Sequence, residues 1–150
     1  MEYLSFESSY IRICYFQGKE ARMTAFDEFR ELVAALRGEG GCPWDKKQTL
    51  STLAPYLTEE SAEAVEAVAE GDDAHVCEEL GDVLLIVSMM ARVAEEEGRF
   101  SFDDCVKSIS EKIIRRHPHV FGDAKFETES EIVDNWKKIK EAEKAGRGEK

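Results

Sequence analysis

From Met23 onward, apolar residues recur at intervals of three and four, the period of an amphipathic helix, and no strand pattern competes. Phe26, Phe29, Leu32, Val33 and Leu36 form the first stripe and predict a helix from Thr24 to Arg37. Thr24 is placed to cap it, with Asp27 in the reciprocal position three residues on. Gly38-Glu39-Gly40-Gly41 ends it, and Gly41-Cys42-Pro43-Trp44-Asp45 reads as a loop. A second helix is expected from Thr49 to Glu70, starting or bending at Pro55 and stopped by Gly71. A third runs from Asp72 or Asp73 to Glu97 and ends at Gly98. A fourth opens on Ser101, with Asp103 and Asp104 in its first turn and Arg115, Arg116 and His117 ahead of Pro118. A fifth starts near Thr128, with Glu131 in the capping-box position, and frays by Gly146. Long amphipathic helices with short connections predict an all-α bundle of about five helices.

The ends of the chain differ from this pattern. Residues 1–22 are rich in Ser, Tyr and Phe and carry no helical period. They read either as an N-terminal extension or as residues ahead of a natural start at Met23, and no function is placed there. Residues 23–145 read as one domain, and 146–150 as a disordered tail.

Composition narrows the function. A chain of 150 residues can bury a core without disulfide staples. The net charge of −12 repels a phosphate backbone, which argues against nucleic-acid binding. It leaves room for a nucleotide substrate if a divalent cation bridges carboxylates and phosphates. Cys14, Cys42, Cys77 and Cys105 show no C-x-x-C spacing. Cys77 and Cys105 fall inside apolar helical patterns, so all four read as reduced thiols of a cytoplasmic protein. No apolar run approaches the ~20 residues of a membrane span, and no signal peptide is legible.

Acids interrupt two apolar stripes. On the second helix the stripe runs Leu53, Tyr56, Glu60, Glu63, Ala67, and on the third Val76, Glu79, Asp82, Ile86, Met89. Each acidic pair is spaced i, i+3, which puts both carboxylates on one helix face. Two such pairs facing one another would repel, and burial would add to the cost. A hard divalent ion, Mg²⁺ or Mn²⁺, removes both penalties. Gly81, between the second pair, leaves space for a close approach by a neighbouring helix or a ligand. Glu95, Glu96 and Glu97 read instead as a solvated cluster without a function. The opposing reading makes all these acids ordinary helix surface in a chain with 32 of them. A di-iron site would need Glu-x-x-His, and no Glu stands three residues before His75, His117 or His119. Those histidines read as serving local roles at helix ends and in a loop.

Lys112 and Arg116 share a face of the fourth helix, and Trp136 and Lys140 share one of the fifth. They could grip phosphate and stack a base. Basic residues near helix C-termini and a core Trp are the plainer account.

Taken in order, these segments resemble the MazG family of nucleoside triphosphate pyrophosphohydrolases. The resemblance covers about Phe26 to Lys140. Its carriers are Gly41-Cys42-Pro43-Trp44-Asp45 with Gln48-Thr49, then Glu59-Glu60-x-x-Glu63 and Glu79-x-x-Asp82. Glu95-Glu96-Glu97-Gly98-Arg99-Phe100 and Arg115-Arg116-His117-Pro118-His119-Val120-Phe121 belong to it as well. The resemblance implies an all-α MazG-like bundle that forms a dimer or higher oligomer. It implies Mg²⁺-dependent hydrolysis of NTPs and dNTPs to NMP and pyrophosphate, with Mn²⁺ as a possible substitute, in the upkeep of nucleotide pools. It assigns the metal to Glu60, Glu63, Glu79 and Asp82, catalysis to Glu59, Glu60 and Glu63, and substrate contacts to Lys112, Arg116, Trp136 and Lys140. Two other classes stay open at this point: a catalytically dead bundle that only binds nucleotides or a partner, and a structural dimerisation module.

Overall fold

The computed structural model of the protein describes residues 23–146 and Gly148. The expectations for residues 1–22 and for most of the tail lie outside the described residues. Seven helices run through the described residues, and none of them is long and apolar enough to cross a membrane.

α1 (Ala25–Arg37) begins where the sequence signals it. Thr24 Oγ1 accepts from the Asp27 amide, and the Asp27 carboxylate accepts from the Thr24 amide at 2.9 Å. Those bonds from Thr24 hold the Asp27 carboxyl below its ordinary range. The expected loop holds one helical turn, α2 (Pro43–Lys46), with Pro43 at its first position, where a missing N–H costs nothing. α3 (Leu50–Glu70) is capped by Thr49 and continues through Pro55. Pro55 lies within the first two turns, so the helix loses one bond without breaking. Gly71 takes a left-handed conformation (φ 77°), and its N–H caps Ala67 O. Asp72 then caps α4 (Asp73–Glu96) by accepting from the Ala74 and His75 amides. Gly71 and Asp72 therefore join α3 and α4 as an αα-hairpin, and these two helices pack along one another.

The described residues divide into two bodies, one of residues 23–105 and one that includes residues 106–146. In the first, α1 and α4 pack together around a core of Val33, Leu53, Met89 and Val93, flanked by Phe29, Leu50, Tyr56, Leu85 and Met90. Arg37, its side chain only 7% exposed, ties the end of α1 to the connection beyond. Its Nη1 donates to the carbonyls of Asp45 and Gln48, while Nε and Nη2 donate to Glu96. Gly41 lies so close to α1 that a Cβ there would stand 2.4 Å from the carbonyl oxygens of Ala35 and Leu36.

α5 (Phe102–Arg116) opens on Ser101, which exchanges bonds with Asp104 in a capping box. A second single turn, α6 (Pro118–Phe121), replaces the loop expected after Pro118. α7 (Glu129–Gly146) follows, with Thr128 Oγ1 accepting from the Glu131 amide. No residue of α5 or α7 is buried among the described residues.

Cys77 and Cys105 lie in apolar patterns as expected, but both are exposed, as are the apolar neighbours on their own helix faces, Leu80 and Leu84 for Cys77 and Ile109 for Cys105. One sequence expectation changes. Glu96 is not free in solvent. Burial opposes its ionisation, but the hydrogen bonds from Arg37 and Arg92 outweigh that and hold its carboxyl below the ordinary range.

Candidate metal centre

The hairpin brings three of the four expected metal ligands together. Glu60 and Asp82 stand equally far from Gly71 along the chain, so an antiparallel hairpin sets them opposite one another. Glu79 lies one turn before Asp82 on the same face of α4. One carboxylate oxygen from each of Glu60, Glu79 and Asp82 falls within 4.8 Å of the others. Glu79 is buried, with 8% of its surface exposed, and Glu60 and Asp82 are half-buried.

Glu63 stays outside this group and is exposed. The inward line of α3 runs Glu60, Ala64, Ala67 rather than Glu60, Glu63, Ala67, since Ala64 and Ala67 are the buried residues. Glu63 is still near enough to act on its neighbour. Burial first, then the charges of Glu63, Asp82, Glu59 and Glu79, push the Glu60 carboxyl above its ordinary range. Glu59 is exposed on the next position around the helix. Gly81 faces open space, with nothing within 4 Å of where its Cβ would be, so no described helix makes the close approach expected there.

The donor set fits a hard divalent cation. All three groups are carboxylates, as Mg²⁺ and Mn²⁺ prefer. Glu79 Oε2 is buried and has no hydrogen-bond partner. A buried, unpaired carboxylate oxygen is expensive, and a cation would satisfy it.

His75, expected to serve only the start of its helix, reaches into this arrangement. Its Nε2 lies 3.2 Å from Glu79 Oε1, and its Nδ1 lies 3.0 Å from Glu70 Oε2 at the end of α3. The bond to Glu70, with burial opposing and the Glu79 charge adding, holds the ring's proton more tightly than usual. The sequence signal was present in the i, i+4 spacing of His75 and Glu79. Trp44 also lies beside α3, 52% exposed and edge-on to Tyr56, which precedes Glu60 by one turn.

The four expected substrate contacts belong to the second body. Trp136 is flanked by two cations, with Lys140 Nζ 4.3 Å and the Arg116 guanidinium 5.7 Å from its ring centre. Arg116 is also engaged by Glu143, which accepts from both its Nε and Nη2, while Arg115 donates to the other oxygen of Glu143 at 2.7 Å. The Arg116 bonds, against burial and with help from Arg115, bring the Glu143 carboxyl down to about 2. Lys112 is half-buried one turn before Arg116.

Residues 48–121 match the model of the MazG nucleotide pyrophosphohydrolase domain. The chain is 53% identical over 119 residues to the uncharacterized protein YabN of Bacillus subtilis (strain 168), covering 79% of this chain and 24% of that one. It is 46% identical over 124 residues to a nucleoside triphosphate pyrophosphohydrolase of Escherichia coli (strain K12), covering 82% of this chain and 47% of the relative. The chain thus spans about a quarter of the length of the first of these curated relatives and about half of the second. Among solved structures, a mazG-related protein from Thermotoga maritima aligns with a TM-score of 0.65 at 30% identity, over 77% of this chain and 98% of that one. With the matching domain and a solved relative aligned over nearly its whole length at 30% identity, the chain belongs to the MazG family.

Proposed function

We propose that this chain is a divalent-cation-dependent nucleoside triphosphate pyrophosphohydrolase, converting NTPs and dNTPs to NMP and pyrophosphate. The observation that carries the proposal is the set Glu60, Glu79 and Asp82, with its buried and unpartnered Glu79 Oε2. Its relative in Escherichia coli bears the name of that activity. Magnesium is the expected ion, with manganese able to replace it.

Glu60, Glu79 and Asp82 would hold the cation, with Glu63 at the rim of the group. When bound, the ion draws charge from phosphate oxygens and makes water a stronger acid. Glu59 is exposed beside the group and is the candidate to take the proton of an attacking water. The water attacks a phosphorus flanking the α–β bridge; the bond from that phosphorus to the bridging oxygen breaks, leaving NMP and pyrophosphate. Lys112, Arg116 and Lys140 are the proposed charge-neutralising groups, and Trp136 the proposed apolar contact. No side-chain nucleophile enters this scheme.

We also place the enzyme in the cytoplasm, in the upkeep of nucleotide pools, as a homodimer or higher oligomer. Val106, Ile109 and Ile113, on one side of α5, are each more than 40% exposed, which supports assembly with a second copy.

The test is product analysis. The purified protein is incubated with canonical and modified NTPs and dNTPs, with Mg²⁺ or with chelator, and products are identified by ³¹P NMR. Pyrophosphate and NMP that appear only with the ion are the expected result. Orthophosphate and NDP, or no turnover of any substrate, would overturn the proposal and favour a bundle that binds without catalysis.

A further inference from the structure

We infer that His75 is a positioning residue for Glu79, fixing which carboxylate oxygen is offered to the cation. The inference rests on the cation-site reading above and extends it to a residue outside the acidic motif. Glu79 has two oxygens in different situations. Oε1 faces His75 Nε2 at 3.2 Å, and Oε2 is buried without any partner. The imidazole is itself held from behind, since Nδ1 lies 3.0 Å from Glu70 Oε2. Glu70 ends α3 and His75 lies in the first turns of α4, so the ring spans the hairpin's turn.

This arrangement removes the rotational freedom of the Glu79 carboxylate. Turning it to present Oε1 would break its contact with the ring, and turning the ring would cost the contact with Glu70. Glu79 therefore ligates through Oε2 alone, with Oε1 engaged by His75. A partner that orients a ligand in this way typically changes metal affinity by about 10–100-fold when removed.

The experiment measures Mn²⁺ binding directly, without substrate, on the full chain. The amplitude of the free Mn²⁺ EPR signal is followed during titration of wild type, His75→Ala, His75→Gln and Glu70→Gln. Glu78→Gln serves as a charge control, because it removes an equal charge one residue from Glu79 and leaves His75 in place. His75→Ala should raise the Mn²⁺ dissociation constant by about 10-fold or more. His75→Gln should recover much of the loss, since an amide N–H can serve an acid one turn on. Glu70→Gln should weaken binding more than Glu78→Gln does. A residue that merely stabilises the start of α4 would shift thermal unfolding and leave the Mn²⁺ constant unchanged. Mn²⁺ binding by His75→Ala as tight as wild type, or tighter, overturns the inference while leaving the cation site standing. So does a His75→Gln protein as weak as His75→Ala. Failure of wild type itself to bind Mn²⁺ overturns the cation site, and this inference with it.

Discussion

The Arg37 guanidinium donates two hydrogen bonds to one oxygen of Glu96, from Nε at 3.0 Å and from Nη2 at 2.8 Å. The remaining arm of the same group holds the carbonyls of Asp45 and Gln48. One nearly buried cation therefore fastens α1, the end of α4 and the connection carrying α2.

Arg37→Met should cost about 2–3 kcal/mol, because it removes the charged hydrogen bonds to Glu96 and Asp45 and leaves the Gln48 carbonyl without its guanidinium donor. Denaturant unfolding measures the loss, and amide exchange over residues 42–48 should accelerate more than exchange in α3. A stability change under 0.5 kcal/mol would show that water replaces the guanidinium without penalty.

Gly41→Ala should destabilise by about 1–3 kcal/mol. Its Cβ would meet carbonyl oxygens of the α1 backbone, which cannot rotate away as a side-chain tip can. Gly81→Ala is the matched control, since a Cβ there meets nothing within 4 Å and alanine favours the helix. Thermal melts of the two variants should move in opposite directions.

Glu60→Gln and Asp82→Asn should each lower turnover on the order of 10²-fold, as loss of a preorganised electrostatic group does. Glu63→Gln, at the rim of the group, should cost much less. The apo protein should keep or gain stability in Glu60→Gln. The sign follows from the raised Glu60 carboxyl: the folded state holds that proton more tightly than the unfolded chain. Its stabilising effect is present below the ordinary carboxylate range and disappears as pH rises through the folded value. At neutral pH only the repulsion remains, and glutamine relieves it. Turnover and apo melting temperature on the same proteins check both halves.

Glu143 should titrate with a midpoint near 2, below its ordinary 4.5, in a carboxyl-resolved NMR titration. A lowered carboxyl contributes stability that is present above the unfolded value and lost as pH falls through the folded one. The clamp on Arg115 and Arg116 should thus open between about 4.5 and 2, and not in the neutral range. Arg116→Lys, which cannot reproduce the forked contact, should move the midpoint upward.

The helices were legible where local chemistry repeats. Thr24 with Asp27, the apolar stripe of α1, and the Gly71 stop all act within a few residues, so sequence alone places them. α2 and α6 were not, because a single turn opened by proline is too short for a period to register. The acidic site was legible as a stripe but not in detail. Spacing puts Glu60 and Glu63 on one face, whereas only the packing of Ala64 and Ala67 shows that the inward line passes Glu63 by. Glu70 and His75 lie on opposite sides of Gly71, so their contact appears only once the hairpin has closed.

That hairpin has a consequence for how the protein folds. Glu60, Glu79 and Asp82 need only the turn at Gly71 and Asp72 to come together, so closing the loop that joins them costs little chain entropy. Contacts of such short sequence separation are among the quickest to form. The acidic centre can therefore assemble before α1 docks, and a divalent cation present during folding would favour the hairpin at that early stage.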